Sequence, residues 1–238
     1  MIGLGTIINT CGVLIGGVCG LLFGSKIKQR YQDTLMNATG ICVLFLGIIG
    51  ALEKIFTINN ETLVSGNTMM IISSLAIGSL IGEFLNIEAH FENFGEWLKR
   101  ITKNTSDNAF VDGFVTTTLT ICIGAMAIVG ALQDGLIGDT STLEAKAVLD
   151  AIIVLVMAAS KGKGCIFAAI SLFIFQGSIT LFSSFIEPVM TPLAFDNLSI
   201  VGSILIFCVG INLIWEKKIK IANLLPAIVI SVICAYII

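Results

Sequence analysis

Residues able to do chemistry are sparse in this chain. The densest group lies in one stretch, QDGLIGDTSTLEAKAVLD, from Gln133 to Asp150. Apolar segments flank it, so Asp134, Asp139, Lys146 and Asp150 stand where charge is otherwise almost absent. Lys146 precedes Asp150 by four residues, a spacing that puts both side chains on one helical face, within pairing distance. Ser141 followed three residues later by Glu144 has the pattern of a capping box. A helix is therefore predicted to start there and run to Ser160. Nine residues at ~1.5 Å each carry Asp150 about 13 Å down the axis, well into a hydrocarbon layer about 30 Å thick. An Asp or Lys near the bilayer centre costs roughly 2.5 to 3.5 kcal/mol to insert, so such a pair belongs against protein or a wet cavity. A carboxylate held there is the kind of group that proton or cation coupling requires. The alternative is structural: Lys146 snorkels to the interface and Asp150 only locks helices together.

The elements that must position these residues are membrane helices. Of 238 residues, 56% are hydrophobic and 12% charged, and the mean hydropathy is +1.00, far above what a water-soluble domain needs. Eight apolar segments lie near 3–24, 37–56, 67–87, 110–132, 143–160, 164–186, 196–215 and 221–238, each near the ~20 residues of a spanning helix. The predicted fold is an all-α integral membrane protein, a polytopic bundle of about eight spans forming a single domain over 1–238. The fifth segment is the weakest, since it must carry Glu144, Lys146 and Asp150. It is open to being a full span, a broken helix or a re-entrant segment.

The basic residues test the count. With eight spans, Lys26, Lys28, Arg30, Lys99, Arg100, Lys103, Lys161, Lys163, Lys217, Lys218 and Lys220 share one side, leaving Lys54 and Lys146 of the 13. The positive-inside rule makes that side cytoplasmic and puts both termini outside. The first apolar run lacks a basic leader and is read as a retained span.

Other features are read as architecture. Gly12, Gly16, Gly20 and Gly24 recur every fourth residue and form a smooth ridge for close helix contact, expected within one subunit, with a homo-oligomer left open. Asn9 and Thr10 are placed to hydrogen-bond across helices. Amphipathic spacing of Ile27, Tyr31 and Leu35, and of Phe91, Phe94, Leu98 and Ile101 beside Trp97, predicts two short interfacial helices. Gln176, in the middle of its span next to Gly177, is a candidate interior polar contact. Asn212 is read as structural, Glu83 as reaching the interface, and Pro226 as an early kink in the last helix. Cys42 to Lys54 and Cys122 to Asp134 show a faint repeat, with Gly50-Ala51-Leu52 matching Gly130-Ala131-Leu132.

Several classes are excluded from the expectation. Seven cysteines in apolar runs without CxxC spacing, and one histidine, read as fillers with no metal site or cofactor. A net charge of −3 gives no footprint for nucleic acid. No GxSxG, HExxH or P-loop is present, so no catalytic residue is assigned and an enzyme is not expected.

The segments CIGAMAIVGALQDGLIGDTSTLEAKAVLD, FQGSITL and KIKIANLLPA, with GTIINTCGVLIGG at the start and IGSLIGE later, carry a resemblance. They resemble the YdfK/YqgA group of bacterial inner-membrane proteins, a domain of unknown function (554), essentially end to end. The most specific part is DGxxGDxxxLxxKxxLD, here Asp134, Gly135, Gly138, Asp139, Leu143, Lys146, Leu149 and Asp150. The charged turn from Ser160 to Gly164 departs from the expected pattern. The resemblance implies a multi-pass protein of the cytoplasmic (inner) membrane with a transport role as an expectation, and it lends no ligand residue. Two functions stay open: a secondary transporter or ion-coupled carrier of a small solute, using Asp150, Lys146, Asp134, Asp139 and Gln176, or a non-transporting scaffold or regulator acting through helix contacts. The partners expected are the lipid bilayer and, for the carrier, a small solute or ion.

Overall fold

The computed structural model describes residues 2–24, 28–59, 62–104, 107–215 and 219–237, with the side chains of 29, 57–59 and 62–64 left aside. Among these, the chain is helical apart from one short hairpin. In order the elements are α1 (Leu4–Gly24), α2 (Gln29–Ile55), strands β1 (Phe56–Asn59) and β2 (Thr62–Ser65), α3 (Thr68–Leu85), α4 (Ile87–Ile101), α5 (Phe110–Cys122), α6 (Ala125–Ile137), α7 (Ser141–Lys161), α8 (Gly164–Leu181), the short α9 (Ser183–Ile186), α10 (Pro192–Ile214) and α11 (Pro226–Cys234). The strands pair antiparallel, Phe56 with Ser65 and Asn59 with Thr62.

Five helices, α1, α2 from Arg30, α3, α8 and α10, are long and apolar enough to cross a membrane, and the pair α5–α6 makes a sixth if counted as one bent span. The count therefore falls short of the eight expected. The fourth segment is interrupted between Cys122 and Ala125 by a 63° bend, where Gly124 takes φ +138°, a conformation open to glycine and strained for other residues. The fifth, α7, is one regular helix of 21 residues whose apolar run is interrupted by Glu144, Lys146 and Asp150. In the eighth, Pro226 begins α11 rather than kinking it. Proline suits that position because its missing N–H has no helical partner there.

The outer faces are strongly apolar. Phe84 is 89% exposed, Leu181 and Phe185 79% and Ile137 77%, which in water would be an extensive hydrophobic patch and in lipid is a match to the solvent.

Two compact units divide the chain. The first comprises the chain up to Thr39, Ala89–Cys122 and Met126–Ile186; the second comprises Gly40–Glu88, Ile123–Ala125 and the chain from Glu187 on. In the first, α1 lies along α7 in the same direction. A Cβ added at Gly12 would come within 2.9 Å of the Ala147 carbonyl oxygen, at Gly16 within 2.2 Å of that of Ala151, and at Gly20 within 2.2 Å of that of Leu155. The ridge read from sequence is thus consumed inside the chain. α5 and α8 run alongside each other, opposite to α1 and α7: Phe110 meets Gly164, and Asn9 pairs with Gln176. The apolar core is Val13, Ile121, Val154, Ala168, Ala169 and Leu172.

In the second unit, α3 and α11 are antiparallel, Gly78 against Ala227 and Gly82 against Asn223, while Gly47 on α2 packs on Ser203 and Phe207 of α10. The start of α11 is fixed by polar contacts. Asn223 accepts the Glu88 N–H at 2.7 Å and donates to Glu83 at 2.7 Å, while Glu88 accepts the Ala222 N–H at 3.1 Å. Glu83, read as reaching the interface, has a largely exposed side chain and pairs with Lys220 and Asn223. Asn212 is structural as expected, exchanging two hydrogen bonds with Ile219.

Of the two amphipathic stretches, one forms a separate helix. α4 keeps Leu98 buried and leaves Trp97 and Ile101 exposed, with Phe94 edge-on to Phe114. Tyr31 and Leu35 belong to α2 itself rather than to a separate helix, and Ile27 lies outside the described residues. The faint repeat joins unlike elements, since Cys42 sits within continuous α2 and Cys122 ends α5 at the bend.

Candidate functional site

The polar groups of the first unit are organised by α7. Its capping differs from the sequence pattern: Ser141 is the first helical residue, not the cap, and Thr140 occupies the cap position without a side-chain bond to the helix N–H groups. Asp139 does that work instead, accepting the Ser141 N–H at 3.0 Å, and Thr140 donates its hydroxyl to Glu144. The bond from the Ser141 backbone N–H holds the Asp139 carboxyl below the ordinary Asp range, with a smaller contribution from the Ser141 hydroxyl.

From there the inward face repeats every three or four residues: Leu143, Lys146, Ala147, Asp150, Val154 and Met157 are all buried. Lys146 and Asp150 therefore turn away from lipid, and Lys146 does not snorkel. Its ammonium lies 2.6 and 2.8 Å from the two Asp150 oxygens and 2.8 Å from the Ile121 carbonyl oxygen. These three bonds use all three of its donors. The Ile121 carbonyl is available because α5 stops at Cys122, and the last carbonyls of a helix have no helical partner and carry partial negative charge. The broken helix and the buried pair are thus one construction.

Two further rungs continue from Asp150. Asn9 neighbours the Asp150 carboxylate, and its Nδ2 donates to Gln176 Oε1 at 3.2 Å. Asn9 and Gln176 are both wholly buried. The remaining Asn9 Oδ1 and Gln176 Nε2 have no hydrogen-bond partner among the described residues. One turn away on each helix, the Thr6 and Thr180 hydroxyls are 3.3 Å apart, and Thr180 also donates to the Ala131 carbonyl at 3.1 Å.

Beyond the threonines lies Asp134, wholly buried. It accepts the backbone N–H groups of Gly3 at 3.1 Å, Gly5 at 3.0 Å and Thr6 at 3.3 Å. It is the N-terminal cap of α1, supplied in space by α6, where a carboxylate gains from the helix dipole. A groove of about 390 Å³ opens at this end, with Gly3, Thr6, Gly177 and Thr180 among its lining.

Of the five residues singled out from sequence, Asp150, Lys146 and Gln176 are gathered into one cluster through Asn9, and Asp134 marks its far end. Asp139 stands apart, exposed on the loop before α7. Asn9 crosses between helices as expected, whereas Thr10 bonds back to the Thr6 carbonyl of its own helix. Thr6, Thr180 and the Ile121 carbonyl were not anticipated. The signal for the threonines was present: Thr6 lies three residues before Asn9, and Thr180 four after Gln176, spacings that share a helical face.

Lipid-facing apolar helices packed through glycines, with a buried ion pair at a helix break, define a multi-helix membrane protein. Comparison gives the family: residues 4–236 match the model described as "Protein of unknown function (DUF554)", and the chain belongs to that family. It is 35% identical over 234 residues to "Uncharacterized membrane protein YdfK" of Bacillus subtilis (strain 168), covering 98% of this chain and 96% of that protein. It is 26% identical over 235 residues to "Uncharacterized protein YqgA" of Escherichia coli (strain K12), covering 96% and 94%. No solved structure matches.

Proposed function

We propose that this chain is an ion-coupled carrier of a small solute in the bacterial cytoplasmic membrane, with the Lys146–Asp150 pair as its coupling site. The observation that carries this reading is the placement of the pair. Both members are buried, and the ammonium also binds the open carbonyl end of a helix broken within an apolar segment. Breaking a span exposes backbone groups that lipid cannot satisfy, so broken helices persist where protein groups or a cavity meet them. Such a break lets the local charge balance alter helix position when a proton or cation changes the pair.

The reading includes eight crossings with both termini outside. Helix directions within each unit support it: α1 with α7, α5 with α8, and the opposed pairs α2/α10 and α3/α11 are the senses that eight alternating crossings require. The arrangement of Arg100, Lys103 and Lys163, all exposed, at one end of the first unit fits a cytoplasmic face.

The test is a thermal-stability screen of purified protein against small organic anions, amino acids and monovalent or divalent cations at two pH values. Wild type is compared with Asp150→Asn. A bound ligand raises the melting temperature by mass action, so the carrier reading expects a ligand-specific rise absent from the variant, followed by solute flux in liposomes. A wild type silent to every ligand, with Asp150→Asn markedly less stable, would instead make the pair a helix lock and the protein a scaffold.

A further inference from the structure

The buried polar groups of the first unit form a file with a direction. One rung is Thr6 with Thr180 and the next is Asn9 with Gln176. The last is Asp150 with Lys146. Thr6 and Asn9 on α1, and Gln176 and Thr180 on α8, are each one helical turn apart, about 5–6 Å between side-chain origins, and Asn9 neighbours Asp150 on α7. Beyond these polar groups each of the three helices turns apolar within a single turn: Val13 follows Asn9 by four residues, Val154 follows Asp150 by four, and Leu172 precedes Gln176 by four. All three belong to one packed cluster and are wholly buried. The file is closed at one end by this plug. At the other it reaches Thr6 and Thr180, which line the groove beside the start of α1.

The middle rung is left incomplete. Asn9 Oδ1 is an unpartnered acceptor and Gln176 Nε2 an unpartnered donor, both on wholly buried side chains. Leaving a buried polar group unsatisfied costs about 1–3 kcal/mol. A neighbouring acceptor and donor are what a buried water needs to be held. Water and hydroxyl oxygens pass a proton along a chain by each forming one O–H bond and breaking another, ending on a carboxylate, while the two amides hold and orient the bridging water.

We infer that this file is a one-sided proton pathway, leading from the end of the unit where α1 begins to the Asp150–Lys146 pair, and that the coupling ion is the proton. The inference rests on the carrier reading for its biological use but not for its test. In the step itself, a proton enters at the threonine rung, is relayed through the water-bridged Asn9–Gln176 rung and bonds to an Asp150 carboxylate oxygen. That weakens the hold of Asp150 on the Lys146 ammonium, and no electron transfer is involved. The titratable groups facing Asp150 are Lys146 on its own helix and Cys122 at the end of α5. α1 meets it with Asn9, which in turn bonds Gln176 of α8, and neither α1 nor α8 carries a charged residue.

The experiment is stopped-flow proton uptake by purified protein after a pH jump, read with a pH-indicator dye and requiring no solute. Wild type should show an uptake component that Asp150→Asn lacks. Gln176→Leu, which replaces the relay by an apolar side chain of similar length, should keep the amplitude of that component and slow it at least tenfold. Thr180→Val, nearly isosteric, should slow it as well and serves if the leucine variant does not fold. Thr118→Val, a buried hydroxyl outside the file, should match wild type. Uptake unchanged in Asp150→Asn, or equally fast in the folded Gln176→Leu or Thr180→Val proteins, overturns the pathway. Proton exchange with no flux of any solute would refute the carrier while leaving the pathway intact, and solute flux with normal exchange in Gln176→Leu would do the reverse.

Discussion

Asp134 offers the most direct test of how the first unit is held together. Removing its carboxylate by Asp134→Ala leaves the N–H groups of Gly3, Gly5 and Thr6 without their acceptor. Hydrogen bonds to a charged group contribute about 1.5–3 kcal/mol each, less than additively when they share one acceptor. An anion at a partly buried helix N-terminus is worth up to ~2 kcal/mol. Because Gly3 is only half-buried, the loss is expected to be about 3–5 kcal/mol rather than the full sum. For a chain of this length, roughly 2–4 °C per kcal/mol makes that a fall of about 6–20 °C in melting temperature. Asp134→Asn keeps the shape and one acceptor oxygen but turns an N–H toward another N–H, so about half that fall is expected. The assay is thermal unfolding in detergent followed with a thiol-reactive fluorophore, with the buried Cys165 and Cys234 reporting exposure of each unit. The reasoning fails if Asp134→Ala melts within 2 °C of wild type, or if Asn is as damaging as Ala.

Two glycines should respond with opposite sign. Gly16→Ala puts a methyl 2.2 Å from the Ala151 carbonyl oxygen, so the α1–α7 contact must open and stability falls by ~1–3 kcal/mol or more. Gly177→Ala meets nothing within 4 Å and gains roughly 0.5–1 kcal/mol from helix propensity. Equal melting temperatures for the two variants would contradict the ridge assignment. The Asp139 cap is pH-dependent: its carboxyl is depressed by folding, so its contribution is present above the unfolded Asp range and disappears as pH falls through the lower folded value. Hydrogen exchange at the Ser141 amide, corrected for intrinsic rate, should quicken on acidification in wild type and be fast throughout in Asp139→Ala. Identical exchange in the two proteins near neutral pH would show that the cap is absent.

Local signals in the sequence reached the helices and the ion pair, but not the contacts that depend on distant segments. The i, i+4 spacing of Lys146 and Asp150 and the four-residue period of the α1 glycines each follow from helix geometry alone, and both appear in the structure as read. The break after Cys122 was missed because CIGAMAIVG is apolar throughout; only Gly124 marks it, among many helical glycines. Asp134 looked like a ligand group because its partners, the N–H groups of Gly3, Gly5 and Thr6, are main-chain atoms about 130 positions away. The capping box failed for a local reason: Asp139, just ahead of the helix, accepts the Ser141 N–H, and Glu144 is engaged by the Thr140 hydroxyl instead of reaching back to the cap.

The direction of α1 along α7 bears on how the chain is made. About 135 residues separate Gly12 from Ala147, its contact on α7. At a synthesis rate of roughly 5–20 residues per second, α1 precedes its partner by about 7–27 s. During that interval its glycine face has only lipid or other chain segments against it, and the acceptor for its first N–H groups, Asp134, has yet to leave the ribosome. Assembly of the first unit is therefore late and effectively all-or-none. Chains ending before α7 should be recognised as unfinished and cleared by membrane proteases, even though α1, α2 and α3 are already apolar enough to remain in the bilayer.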